Sequence, residues 1–255
     1  MDEMLRSMFL VWAAGKVVAV LLWRQGGSPF IAAAAFFLPD VFILYQLLAP
    51  SGQWVCRVFT HFVTDRPEIC LTIDDGPDAE DTPRILDLLD RHGARATFFL
   101  IGERAVRHPE LVAEIRRRGH EIGHHTHTHP LESFWCAGPL RVRAELDASL
   151  PLFQSVSSRW FRPPAGTKSF FLARALAERD LRCVGWSVRS RDTMSRDPGA
   201  VAERVMKRVQ PGSIVLMHEG AALDRRVRVR ALELLLEALA ARQFACVIPR
   251  MEQLR

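Results

Sequence analysis

The stretch EICLTIDDGPDAEDTPRILDLLDRHGARATFFLIG, residues 68–102, decides the fold. It reads as a buried strand (EICLTID), a turn at GPD, an amphipathic helix (TPRILDLLDRHG) and a second buried strand (ATFFLIG). Pro83 stands near the helix start and Gly93 at its end, the usual asymmetry of helix boundaries. Outward from there the alternation continues. Strands are expected at HEIGHH, RWFRPP, RCVGWSV, GSIVLMH and FACVIP, and helices at PELVAEIRRRG, LRVRAELDASL, FFLARALAERD, PGAVAERVMKRVQ and RVRALELLLEALAARQ. Alternation repeated about seven times means parallel strands with crossover helices, hence a barrel or a doubly wound sheet. In either architecture chemistry gathers at the carboxyl ends of the strands.

That rule sorts the polar residues. The predicted strand ends carry Asp74 and Asp75, a histidine run, Arg162, Asp192 and His218. The run EIGHHTHTHP (121–130) holds four of the nine histidines of the chain within six positions. His125 and His129 are spaced so that two imidazoles can reach one divalent metal, with Asp75 as an oxygen ligand. Two histidines and one carboxylate leave positions open for water and substrate, the pattern of a catalytic site. His124 and His127 are expected to support that site or to face solvent. Neighbours on a strand point to opposite sides, so Asp74 is free for another task, that of a general base.

These residues also carry a resemblance. TIDDGPD, HTHTH, FRPPAG, GWSVRSRD and IVLMH, in that order between about Leu71 and Pro249, are similar to the five motifs of the polysaccharide deacetylases, the NodB-homology domains of carbohydrate esterase family 4. The resemblance implies an α/β fold, a distorted (β/α) barrel with fewer than eight complete strands. It also implies metal-dependent removal of N-acetyl or other N-acyl groups from an amino sugar or glycan. Asp74 would be the base, and Asp75, His125 and His129 the ligands of zinc or of cobalt, nickel or manganese. Arg162 would orient the base, His218 would protonate the leaving amine, and Asp192 would hold and charge that histidine. Leu216 would line a pocket for the acetyl methyl, with Pro164, Ala165 and Trp186 along the substrate. Two positions depart from the family pattern: Ala165 replaces the usual tyrosine and Thr193 an aromatic. Both changes remove walls from a sugar groove and point to a substrate other than long chitin-like chains.

Composition sets the surroundings. The chain has 255 residues, 49% hydrophobic and 25% charged, with a net charge of +5. Its basic residues are scattered, and the one dense run, RRVRVR (225–230), is expected to be a solvated helix entrance, so no nucleic acid partner is expected. Five cysteines form no CxxC pair, and Cys70, Cys183 and Cys246 sit in apolar runs that read as buried strands, so buried thiols are expected there, which leans toward a reducing compartment. Residues 8–23 and 29–49 are apolar and separated by the polar turn RQGGS. The expected organisation is a hydrophobic helical hairpin over residues 1–55, anchoring the chain in a bacterial inner membrane, and a catalytic domain over residues 56–255. Flanking arginines favour the cytoplasmic side for both ends of the hairpin. An anchored domain with an altered groove suits a lipid-linked amino sugar. Two alternatives stand beside it: a deformylase or non-sugar amidohydrolase on the same fold, and a membrane-tethered carbohydrate-binding protein without turnover.

Overall fold

The computed structural model describes residues 3–153, 159–220 and 225–255. Two helices lead, α1 (Glu3–Arg24) and α2 (Pro29–Leu48), followed by β1 (Val58–Phe59) and β2 (Glu68–Gly76). Then come α3 (Asp81–Arg91), β3 (Ala96–Leu100), α4 (Gly102–Arg107), α5 (Pro109–Arg117), β4 (Glu121–His124), α6 (Pro139–Phe153) and β5 (Trp160–Phe161). The chain ends with α7 (Leu172–Ala177), β6 (Arg182–Val184), β7 (Val188–Arg189), α8 (Pro198–Met206), β8 (Ile214–His218), α9 (Arg225–Ala241) and β9 (Ala245–Cys246). The strands form one curled sheet in the order β1-β6-β5-β4-β3-β2-β8-β7, with β9 beside the start of β2, and every strand pair is parallel.

Each of the seven predicted strands is present. The run RCVGWSV is divided, however: β6 joins β5 and β1 at one end of the sheet, while β7 joins β8 at the other. Gly185–Ser187 spans the gap between these ends and draws the sheet into a distorted barrel. At that bend, Gly185 N–H donates to Phe59 O and Ser187 N–H to Ile214 O. Packing makes the bend specific, since a Cβ on Gly185 would lie 2.8 Å from Val58 Cγ1. The short strand β1 and helix α4 were not expected.

Strand alternation separates two environments. Along β2, Ile69, Leu71 and Ile73 face the outer helices, in one cluster with Leu86, Leu89, Leu235 and Leu239. Their neighbours Cys70 and Thr72, and then Asp74, point into the barrel. On β8, Val215 and Met217 join the outer cluster, so Ile214, Leu216 and His218 point inward. Burial of each outer Leu, Ile or Phe contributes about 1.5–3 kcal/mol. That layer holds the inward column rigid enough to carry charge. Helix boundaries follow the proline and capping signals: Pro198 opens α8, and Asp197 caps it by accepting from Gly199 N–H and Ala200 N–H.

The RRVRVR expectation needs correction at Arg228. This side chain is buried beside the carboxylate of Asp81, 3.6 Å away, because the start of α9 packs on the domain rather than standing in solvent. The side chains of Arg225 and Arg226 lie outside the described residues.

Helices α1 and α2 pack as an antiparallel pair, each with a span of 20 residues long and apolar enough to cross a membrane. Polar groups in the pair satisfy one another: Lys16 pairs with Asp40, Trp12 Nε1 donates to Asp40 Oδ1 at 2.8 Å, and Lys16 Nζ donates to Phe36 O at 2.5 Å. Most of the remaining surface of the pair is exposed and apolar, including Leu10, Val18, Phe30 and Phe37. Near the domain Met8, Leu47 and Val55 are buried together, with Phe170 packed against them.

Candidate active site

The inward columns of β2 and β8 meet in register, so Asp74 stands opposite His218. The strand does not keep its alternation here. The β2–β3 register shifts between Asp74 and Gly76, and Asp75 takes φ 72°. Both carboxylates therefore turn toward the same imidazole: His125 Nε2 lies 3.3 Å from Asp75 Oδ1 and 3.9 Å from Asp74 Oδ2. The rule of opposite faces fails at these two residues.

The histidine run leaves β4 after His124 and folds back through Thr126 (φ 63°) and His129 (φ 54°). That turn brings His129 Nε2 to 3.2 Å from Asp75 Oδ1 and within one group of ligand atoms with His125, all within 4.8 Å of one another. His125 Nδ1 donates to the carbonyl of Arg162 at 2.7 Å, which turns Nε2 toward the group, where it donates to Asp75 or, once deprotonated, offers a lone pair to an ion. The donor set fits a divalent ion. Tetrahedral bonds of about 2.1 Å place neighbouring ligand atoms about 3.4 Å apart, close to the two separations between Asp75 and the histidines. Burial alone would raise Asp75, but hydrogen bonds from His125 and His129 prevail and hold its carboxyl far below the usual range.

His124 and His127 separate from this group. His124 is buried edge-on to Phe153, and burial pushes its pKa down to about 4, so it is a neutral core ring. His127 packs against Gly102, where an added Cβ would come within 2.3 Å of its Nδ1.

Arg162 is fully buried and supports Asp74 from beneath. Its Nη1 donates to Asp74 Oδ1 at 2.6 Å and to Thr72 Oγ1 at 2.8 Å, while Nε and Nη2 donate to Val184 O and Gly185 O. Phe99 lies 4.0 Å under the guanidinium and Trp186 flanks it at 5.6 Å. Because Oδ1 is taken, the Oδ2 atom of Asp74 faces the group of ligands. Across the site, His218 Nδ1 and Asp192 Oδ1 are 2.8 Å apart, and the other Asp192 oxygen accepts from His218 N–H at 2.7 Å. Burial would lower the pKa of His218; the hydrogen bond to Asp192 and the charges of Asp192, Asp74 and Asp75 raise it above the ordinary value. Leu216 is buried two residues below His218 on the same inward column. Pro164 is buried, Ala165 is exposed with φ 52°, and half-buried Trp186 closes the side next to Arg162.

Three supporting groups were not found in the sequence. Glu145 of α6 is buried and accepts from His127 N–H, Thr128 N–H and Thr128 Oγ1 at 2.9, 2.8 and 2.6 Å, which clamps the turn between His125 and His129. Its signal was an acid on a helix face otherwise made of Val142, Leu146 and Ser149, all buried. Arg104 of α4 donates to the carbonyl of Asp75 at 2.5 Å, and Ser190 Oγ donates to Asp192 Oδ1 at 2.9 Å. Glu145→Ala is expected to leave the fold intact but weaken metal binding by about 10- to 100-fold, as loss of a group that orients ligands does. Competition with a coloured chelator measures this; unchanged affinity would show that the turn holds itself.

Comparison with known proteins gives the family of the chain. The polysaccharide deacetylase family profile matches residues 63–184. A chitooligosaccharide deacetylase of Sinorhizobium fredii is 36% identical over 193 residues, covering 71% of this chain and 89% of the relative. A peptidoglycan-N-acetylglucosamine deacetylase of Bacillus cereus is 34% identical over 205 residues, covering 77% of this chain and 91% of the relative. Among solved structures, the Bc1960 peptidoglycan N-acetylglucosamine deacetylase superposes with a TM-score of 0.67 at 30% identity, over 74% of this chain and 88% of that one.

Proposed function

Because the chain belongs to the polysaccharide deacetylase family and is a metal-dependent hydrolase of N-acetylated amino sugars, we propose that Asp74, Asp75, His125, His129 and His218 carry its reaction. One observation carries the assignment. Asp74 and His218 are register partners on adjacent strands, and His125, one of three side chains grouped so that they could hold an ion, lies 3.9 Å from the second oxygen of Asp74. A proton acceptor and a proton donor thus flank one ion site.

Asp75, His125 and His129 would hold the ion, with zinc favoured by the nitrogen-rich donor set and cobalt, nickel or manganese accepted by the same ligands. When bound, the ion supplies Lewis acidity to the amide carbonyl and acidity to the attacking water. Asp74 Oδ2 takes the proton from that water, while Arg162 holds the carboxylate by its other oxygen and aims it. His218 Nδ1 donates to Asp192, so Nε2 delivers the second proton to the departing amine. The backbone N–H of Ala165 stabilises the developing oxyanion, and Leu216 receives the acetyl methyl beside Pro164 and Trp186. A binding protein without turnover needs neither Asp74 nor His218.

The pH dependence follows from the His218–Asp192 pair. His218 must be protonated to act as an acid, so the rate falls as pH rises through its raised pKa. Asp192→Asn removes the main raising influence and is expected to move that falling limb to lower pH, read from kcat/KM against pH. An unmoved limb would remove His218 as the titrating acid.

For substrate, the reading is a lipid-linked amino sugar, bound by a chain whose α1–α2 hairpin crosses a bacterial inner membrane as an anchor for the domain of residues 56–255. Two features support it: the exposed apolar surface of both helices, and Ala165 and Thr193 in place of aromatic groove walls. Acetate and formate release from a panel of soluble chito-oligosaccharides and lipid-linked amino sugars tests it. Preferred acetate release from the lipid-linked members is expected. Equal rates on soluble chains would contradict the lipid-linked assignment, and formate alone would make the protein a deformylase.

A further inference from the structure

Lysines rarely leave water, because an ammonium without compensation is costly to bury. Lys168 is fully buried, six residues after Arg162. No carboxylate lies within ion-pair distance of it among the described residues. Its Nζ donates instead to three carbonyls: Ala49 O at 2.5 Å, Gly166 O at 3.2 Å and Pro50 O at 3.4 Å. Burial lowers its pKa, only in part countered by neighbouring Cys183 and Cys56. The backbone of Lys168 is tied to the same place, its N–H donating to Leu47 O at 2.7 Å.

Three of these four acceptors lie at or just past the end of α2. Leu47 is in its last turn and Ala49 is its C-cap, where carbonyls lack helical partners and carry the negative end of the helix dipole, and Pro50 comes next. The fourth, Gly166, follows Ala165. Contact between the two sides is close: a Cβ on Gly166 (φ 74°) would meet Pro50 Cβ at 2.6 Å and Trp186 Cη2 at 2.9 Å. Pro50 also lines a small crevice with Arg162, Gly166 and Trp186. The end of the hairpin and the loop that presents Ala165 are therefore one packed unit with a single ammonium at its centre.

We propose that Lys168 is a positioning residue for deacetylation: it fastens the loop carrying the Ala165 N–H to the end of α2, so the hairpin forms part of the catalytic groove as well as an anchor. The inference rests on the reading of the Ala165 N–H as the oxyanion donor. A donor displaced from the transition state costs rate and leaves ground-state binding alone, so the loss falls on kcat.

The test uses the full chain in detergent micelles loaded with zinc, with acetate release from an N-acetylated amino-sugar substrate as the assay. Lys168→Met is expected to lower kcat by about 10- to 100-fold, short of the loss for removing an oxyanion donor outright, with KM and bound zinc within about twofold of the unaltered protein. Lys168→Arg, which keeps the charge and the donors, is expected to recover part of kcat. If Lys168→Met fails to fold, Pro50→Gly decides the matter, because it keeps the ammonium but frees α2 from Gly166 and is expected to lower kcat alone. Unchanged kcat in folded, zinc-loaded Lys168→Met or Pro50→Gly overturns the proposal, as does a rise in KM without loss of kcat. An unaltered protein that releases no acetate overturns the deacetylase reading instead.

Discussion

Asp74→Asn is expected to lower kcat by about 10³- to 10⁴-fold while the protein still binds one divalent ion, the upper range for loss of a general base. The amide keeps the size of the carboxylate and an oxygen for Arg162 Nη1, so the site keeps its shape. What disappears is the basicity of Oδ2, the atom that faces the ligands. Stability falls as well, because a buried guanidinium that loses its counter-charge costs about 3–5 kcal/mol. Thr72, Val184 and Gly185 continue to accept from Arg162 and should keep the variant folded. Thermal melting and metal analysis on the same sample separate the two losses. A variant with bound metal and near-normal turnover would remove Asp74 as the base.

The second large effect is expected at His218. His218→Ala should lower the rate on an N-acetyl amide by about 10²- to 10⁴-fold, because an amine cannot depart without a proton. An activated ester, whose stabilised phenolate leaves unaided, should lose far less. The comparison isolates acid catalysis from packing, since a collapsed pocket would slow both substrates alike. Equal losses on both would assign His218 a structural role beside Asp192.

Much of this site could be read from the strand ends. Asp74, Asp75, Arg162, Asp192 and His218 follow short apolar runs, and a parallel sheet brings such ends together whatever their distance in sequence. Local geometry was less legible. Alternation predicted that Asp74 and Asp75 point apart, and the bulge with positive φ at Asp75 reverses this. RCVGWSV looked like one strand because its apolar character is continuous, yet Gly185–Ser187 carries it from one end of the sheet to the other. The partners of Glu145, Arg104 and Lys168 were illegible for a shared reason. Each acts on backbone groups of another segment, and a backbone donor or acceptor leaves no mark in a sequence. Arg228 misled in the opposite sense, since its basic run suggested solvent while tertiary packing buries it on Asp81.

Anomalous X-ray scattering from crystals of the zinc-loaded protein tests the ion site most directly. One peak is expected about 2.0–2.2 Å from Asp75 Oδ1, His125 Nε2 and His129 Nε2, with Asp74 Oδ2 outside bonding distance. A zinc-loaded crystal with no peak at that triangle, or a peak held by other residues, would contradict the assignment.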